Sequence, residues 1–329
     1  MPLTDLPLDE LRDYRPEIPE PEGFDDFWAA TLASARAAGG GEAEYRRVDD
    51  PPLATAEVYD VRFPGWDGQP VAGWLLLPTG VSGPLPGVVT YIGYTGGRGR
   101  ALEHLLWCSA GYAHLVVDSR GQGHATPDPD PSPAPQYVAG FMTRGIDHPD
   151  HHYYRRLMTD CVRAVDALAA HPAVDARRVI ASGISQGGGL ALATAALAGD
   201  AVAAALVDVP FLCHYRRGAE TASEGPYVEI ARYLGWHQAR TPEETFATLS
   251  YFDGVHFAPR ATAPALFSAA LMDPVCPPST VFAAYNRYAG EKDIAVWPFG
   301  DHSGGRSAQR ERQLRWLAER GLGGARTSG

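Results

Sequence analysis

From residue 87 onward the hydrophobic period of the chain changes repeatedly, and that alternation narrows the fold more than any other feature. Apolar runs at Gly87–Ile92, Ala113–Asp118, Arg178–Ser182, Ala203–Val209, Ala265–Ala270 and Ile294–Pro298 have the length of strands. Between them, residues 100–110, 152–170, 186–198, 278–289 and 306–320 read as helices. Strands that alternate with helices build βαβ units, so the expected class is α/β with a doubly wound, mostly parallel sheet. Ahead of this region, Phe24, Phe27, Trp28, Leu32 and Ala35 mark an amphipathic helix over 24–38, ended by Gly39-Gly40-Gly41. Two runs, Ala54–Phe63 and Val71–Leu77, flank the turn sequence Trp66-Asp67-Gly68-Gln69 and read as a hairpin.

Two segments interrupt the alternation. Residues 121–150 leave the chain after Asp118 and include the Pro-rich run Pro127–Pro135, which reads as a rigid excursion. Residues 211–260 are rich in aromatics and separate two strands as a cap-like insertion. Insertions at strand ends are where α/β proteins build pockets and interfaces. No Gly/Ser-rich linker divides the chain, so one domain is expected over residues 1–329.

Charge excludes some functions. With 28 Lys+Arg against 39 Asp+Glu, the net charge is −11, which argues against a nucleic-acid partner. No apolar run has the roughly 20 residues that span a bilayer, so no membrane partner is expected. The first ten residues lack a basic stretch followed by an apolar one. Cys108, Cys161, Cys213 and Cys276 are scattered without a CxxC pair, the pattern of reduced thiols. Together these predict a cytoplasmic location.

The sharpest chemical signal is Gly183-Ile184-Ser185-Gln186-Gly187, set between an apolar strand and an Ala/Leu-rich helix. This is the context of a nucleophile elbow, where a serine sits on a tight strand-to-helix turn. A serine hydroxyl needs an adjacent base, and on such a scaffold an acid and then a histidine follow it along the chain. Of eleven histidines, His302 lies directly after the last expected strand and is the preferred base; His256 is the weaker candidate. Asp273, after the penultimate strand, is the preferred acid, with Asp301 and Asp208 as competitors. The oxyanion of acyl transfer needs N–H donors. One is expected from Gln186, which follows the nucleophile. The second is expected from Tyr94, in the glycine-rich stretch Tyr91-Ile92-Gly93-Tyr94-Thr95-Gly96-Gly97. Tyr94 also reads as an aromatic wall.

Other motifs carry less. His148-Pro149-Asp150-His151-His152 has metal-ligand residue types, but such runs are mostly solvated loops, and no distant partners stand out. Gly96-Gly97-Arg98-Gly99 lacks the Lys-Ser/Thr pair of a phosphate-binding loop, and no dinucleotide fingerprint occurs. Neither a metal nor a cofactor is expected.

Several stretches together resemble the acetyl xylan esterase and cephalosporin C deacetylase family, carbohydrate esterase family 7. They are Tyr91–Gly99, Asp118-Ser119-Arg120-Gly121-Gln122-Gly123, Gly140–Gly145, Ser182–Gly189 and Leu271–Ser279, with Asp5-Leu6-Pro7-Leu8 and Tyr14-Arg15-Pro16 near the start. The resemblance implies an α/β-hydrolase fold, a Ser185–His302–Asp273 triad and an oxyanion hole from the Tyr94 and Gln186 amides. It implies deacetylation of short acetylated xylo-oligosaccharides and of cephalosporin C, without a metal. It further implies an intracellular homo-hexamer with the 121–150 excursion at its contacts, and Arg120 as a structural tether. The family usually carries His-Glu-Gly-Gly at the catalytic histidine, whereas this chain has His302-Ser303-Gly304-Gly305. On the residues alone, another serine esterase or thioesterase with a small acyl pocket fits the same fold.

Overall fold

A computed structural model describes residues 5–39, 41–81, 83–129, 139–237 and 240–325. Nine strands make one sheet: β1 (Glu44–Arg47), β2 (Ala56–Pro64), β3 (Pro70–Pro78), β4 (Leu85–Tyr91), β5 (Ala113–Val117), β6 (Val174–Ile184), β7 (Ala204–Asp208), β8 (Ala265–Ala270) and β9 (Lys292–Trp297). Their order is β1-β2-β3-β5-β4-β6-β7-β8-β9. From β5 to β9 every pairing is parallel, while β1, β2 and β3 are antiparallel to their neighbours. The expected α/β class and hairpin are both present, with Pro64 opposite Pro70 across the turn.

Some elements depart from the sequence pattern. Strand β1 was not expected, because Glu44-Tyr45-Arg46-Arg47 is polar; charged side chains suit a sheet edge, where they discourage further pairing. Residues 100–110 form a 3₁₀ turn, Ala101–His104, and then a short helix, Leu105–Ser109, rather than one helix. A further short helix, Leu8–Asp13, packs its buried Leu11 beside Val281 and Phe282. In the first excursion, residues 130–135 of the Pro-rich run lie outside the described residues. The second insertion folds into helices Tyr215–Thr221, Tyr227–Trp236, Pro242–Ser250 and Gly254–Phe257.

The central strands are buried on both faces. Helices Tyr153–Ala170 and Gln186–Leu197 bury Tyr154, Leu157, Cys161, Val165, Leu190 and Leu192. The chain leaves β4 toward β5 on one side, and β6 pairs with β4 on the other. Such a reversal of strand order opens a crevice at the carboxyl ends of the strands, and ligands bind there in open α/β sheets.

A buried charge cluster ties the first excursion to the body. Arg120, fully buried, donates to both carboxylate oxygens of Asp160, at 2.6 Å and 2.9 Å. Asp160 also accepts the Trp66 N–H at 2.8 Å, and Arg120 reaches Gln69 Oε1 at 2.6 Å. Asp128 is held by Arg156, Arg144 and Arg120. Burial works to raise its acid range, but these guanidinium groups outweigh burial and hold it below the ordinary carboxylate value. Removing one member of such a cluster leaves a buried charge without its partner. Asp160→Ala is therefore expected to lower unfolding stability by about 3–5 kcal/mol, read as a shift of the urea midpoint. A midpoint unchanged from wild type would contradict the tether.

Candidate active site

The site begins at the turn between β6 and helix Gln186–Leu197. Ser185 sits there at φ 58° and ψ −122°, a conformation that side chains rarely adopt. The surroundings impose it. A Cβ on Gly183 would lie 2.2 Å from the Gly187 carbonyl carbon and oxygen, and one on Gly187 would lie 2.2 Å from the Tyr91 carbonyl oxygen. The Ser185 N–H donates to the Asp208 carbonyl at 3.0 Å, and its own carbonyl accepts the Gly189 and Phe211 N–H groups at 3.0 Å and 2.9 Å. With its backbone fixed at both ends, Ser185 presents its hydroxyl beyond the carboxyl end of β6.

His302 Nε2 lies 2.8 Å from Ser185 Oγ, and His302 Nδ1 lies 2.8 Å from Asp273 Oδ2. The second Asp273 oxygen accepts the Val275 and Cys276 N–H groups at 2.8 Å and 2.9 Å. A carboxylate acceptor at Nδ1 places the ring proton there and leaves Nε2 free to accept from the serine. Asp273 is buried, while His302 keeps part of its ring exposed. The three residues preferred from the sequence thus form one hydrogen-bonded row.

The competitors are engaged elsewhere. Asp208 lies beneath the elbow, where Gln309, Gln313 and Arg310 donate to it at 2.8, 2.7 and 3.2 Å. Burial pushes its acid range up. Asp301 is exposed and accepts the Ser303 N–H at 2.9 Å. That bond uses the backbone of Ser303, so it does not depend on serine standing where the resemblance implies Glu. His256 is buried against Phe24, with ring centroids 6.0 Å apart.

The two expected oxyanion donors lie on the helix that follows the serine and on the loop after β4. Gln186 is the first residue of its helix, where an N–H has no carbonyl four residues back to bond. The Tyr94 N–H takes no acceptor among the described residues. Gln122, which nothing in the local sequence marks as functional, links the two. Gln122 and Gln186 exchange side-chain amide bonds, Gln122 Nε2 to Gln186 Oε1 at 2.8 Å and Gln186 Nε2 to Gln122 Oε1 at 3.1 Å. Gln122 Oε1 also accepts the Thr95 N–H at 2.7 Å, and Gln186 Nε2 donates to the Ile92 carbonyl at 3.1 Å. This pair joins the loop that carries Tyr94 to the elbow. Gln122 stands in Arg120-Gly121-Gln122, but only proximity in space gives it a role.

Among the described residues, Asp273, Cys276 and His302 offer metal-type ligand atoms within 4.8 Å of one another. Two of them are already bonded in the serine row. Burial pushes the Cys276 thiol well above its ordinary range, which favours S–H over the thiolate a metal needs. The 148–152 histidines face different partners. Buried His152 caps a helix through Nδ1 and faces the Met142 carbonyl through Nε2, and burial lowers its pKa to about 4. His148 accepts the Asp150 N–H, and His151 lies 2.7 Å from Asp147. All four cysteines are free and buried.

A largely parallel sheet with a strained serine at its central turn, followed in the chain by an acid and a histidine, defines the α/β-hydrolase class. Residues 1–320 match the acetyl xylan esterase family. The chain belongs to that family, whose members are carboxylic ester hydrolases. It superposes on an acetyl xylan esterase from Paenibacillus sp. R4 with a TM-score of 0.89 and 42% identity, covering 95% of this chain and 99% of that one. Acetyl xylan esterase 1 from Thermoanaerobacterium sp. JW/SL YS485 gives a TM-score of 0.89 and 32% identity, covering 96% and 99%. The acetyl esterase Axe7A of Xylanibacter ruminicola is 27% identical over 296 residues, which is 88% of this chain but 65% of that relative's length.

The amide pair carries a prediction. Gln122→Ala is expected to lower kcat on p-nitrophenyl acetate about 10- to 100-fold, because one oxyanion donor loses its alignment. The far-UV circular dichroism spectrum is expected to stay native. A native spectrum with an unchanged kcat would contradict the positioning role.

Proposed function

We propose that this chain is a serine carboxylesterase that removes acetyl groups from small acetylated substrates, acetylated xylo-oligosaccharides first and cephalosporin C second. The observation that carries the reading is the Ser185–His302–Asp273 row, with 2.8 Å at both links, beside the Tyr94 and Gln186 amides. The family match and the names of its closely superposing relatives support acetylated carbohydrate as the substrate class.

The proposed steps use this geometry. Ser185 Oγ attacks the acetyl carbonyl carbon while His302 Nε2 takes its proton. The carbonyl oxygen becomes an anion between the Tyr94 and Gln186 N–H groups, each such donor giving about 2.7–4 kcal/mol of transition-state stabilisation. Asp273 fixes the imidazole tautomer and stabilises the imidazolium. His302 then returns the proton to the departing sugar oxygen, breaking the ester bond and leaving an acetyl-serine. Water, deprotonated by His302, attacks that acetyl group, and acetate departs as the proton goes back to Ser185. Acetylated xylo-oligosaccharides are neutral, so they require no cationic groove of a chain whose net charge is −11.

Two further parts of the proposal concern context. The four free, buried thiols support a reducing, cytoplasmic location, where short imported oligosaccharides would be met. Among the described residues no helix is long and apolar enough to cross a membrane. A homo-hexamer rests on the sequence resemblance alone, and light scattering tests it by mass.

Ser185→Ala is expected to lower kcat for acetate release by roughly a millionfold, measured on acetylated xylo-oligosaccharides. Retention of a tenth of wild-type turnover would overturn the mechanism. On p-nitrophenyl esters, kcat/KM is expected to fall steeply from acetate to butyrate and octanoate. A flat profile would instead favour a general esterase or thioesterase.

A further inference from the structure

We propose that Glu229, in the second insertion, is a positioning residue that holds the Tyr94 oxyanion donor in register. The inference rests on the serine-esterase reading above.

Glu229 lies on helix Tyr227–Trp236, far along the chain from both the elbow and the Tyr94 loop. Its carboxylate accepts the Tyr94 hydroxyl with both oxygens, at 2.7 Å and 2.8 Å. Oε2 also accepts the Met142 N–H at 3.2 Å. The Tyr94 hydroxyl in turn accepts the Phe141 N–H at 2.6 Å. Gly140 is needed beside them, since a Cβ there would lie 2.0 Å from Oε2, and its φ of +110° is outside the range of ordinary side chains. One carboxylate therefore joins three segments: the loop after β4, the returning end of the first excursion, and the second insertion.

Among the described residues its hydrogen-bond partners are a phenol and a backbone N–H, and Arg232 attracts it without forming a close ion pair. Burial raises its acid range above the ordinary value. An apolar side chain here would leave the Tyr94 hydroxyl and the Met142 N–H without an acceptor. A carboxylate with this geometry does something an apolar group cannot: it fixes the rotation of the Tyr94 ring through a directed bond. Phe141 and Phe211 pack edge-on against that ring, with centroids 5.7 Å and 6.1 Å away. On the other side of the residue, the Thr95 N–H is held by Gln122. Thr95 itself is at φ 60°. The preceding peptide is held as well, since the Gly93 carbonyl accepts the Gly96 N–H at 3.0 Å, so the Tyr94 N–H is fixed by bonds on its side chain and on both neighbouring peptides. Glu229 thus lets the inserted helix control an amide that it does not touch.

The test compares kcat and KM of Glu229→Ala, Glu229→Gln, Tyr94→Phe and Glu229→Ala/Tyr94→Phe on p-nitrophenyl acetate, each normalised to sites titrated with a fluorophosphonate. Normalisation removes any loss due to misfolding. Glu229→Ala is expected to lower kcat per titrated site about tenfold, with KM within about threefold, a fraction of the effect of deleting a whole donor. Glu229→Gln keeps an oxygen that can take the shared Oε2 position and is expected to restore kcat to within about threefold of wild type. Tyr94→Phe is expected to match Glu229→Ala, and the double variant to fall no further than about threefold below either, because both changes break the same link. A kcat per site within twofold of wild type in Glu229→Ala would overturn the inference, as would losses that multiply in the double variant. If wild type itself takes up no fluorophosphonate, the serine-esterase reading fails and carries this inference with it. Labelled wild type with unaffected variants overturns the inference alone.

Discussion

The backbone of Ser185 is the constraint on which the rest of the site depends. At φ 58° and ψ −122° the residue holds a conformation that costs of order 1–3 kcal/mol and persists only where its neighbours over-determine it. They do so from both sides of the sheet's centre. The Asp208 carbonyl takes the serine N–H, and the Gly189 and Phe211 N–H groups take its carbonyl. Gly183 and Gly187 bring the strand and helix too close for any side chain between them. Asp208 is itself held by three side chains of the C-terminal helix, Gln309, Arg310 and Gln313. The elbow is therefore strained at one residue and braced from a helix more than a hundred positions later.

Around that turn, preorganisation runs through neutral amides and phenols more than through ion pairs. The Gln122–Gln186 pair sets the spacing of two loops, and Tyr153 carries the arrangement outward. Its hydroxyl donates to the Arg120 carbonyl at 2.5 Å and accepts from Gln122 at 3.0 Å. Arg120 is in turn locked to Asp160 beneath. The Arg120–Asp160 pair thus sits behind the chemistry, where it fixes the frame. The layer that meets substrate is built from donors and acceptors whose geometry can be exact without a large change in local field. Such fixed dipoles stabilise charge that appears only in the transition state.

Much of this was legible in the sequence, for reasons that differ by element. The central parallel strands were visible because burial on both faces makes them apolar, as in Ala265–Ala270. Strand β6 runs from Val174 rather than Arg178, since Asp175, Ala176 and Arg177 lie toward the solvent end and look like a turn. Ser185, Asp273 and His302 could be read because their chain order and their places at strand ends are properties of the chain itself. Gln122 and Glu229 could not. Their partners are 64 and 135 residues away, and nothing local in a polar residue of a loop or an amphipathic helix says which distant group it will meet. Asp208 shows the converse, since its strand-end position suited an acid, yet the structure surrounds it with amides and an arginine.

The central claim is that Ser185 becomes covalently acylated. Its most direct test is intact-protein and peptide mass spectrometry after reaction with a fluorophosphonate, with and without prior incubation with an acetylated xylo-oligosaccharide. The account predicts one adduct per chain, located on the peptide that contains Ser185, with labelling slowed by the oligosaccharide. An adduct on any other residue, or none at all on folded protein, would contradict it.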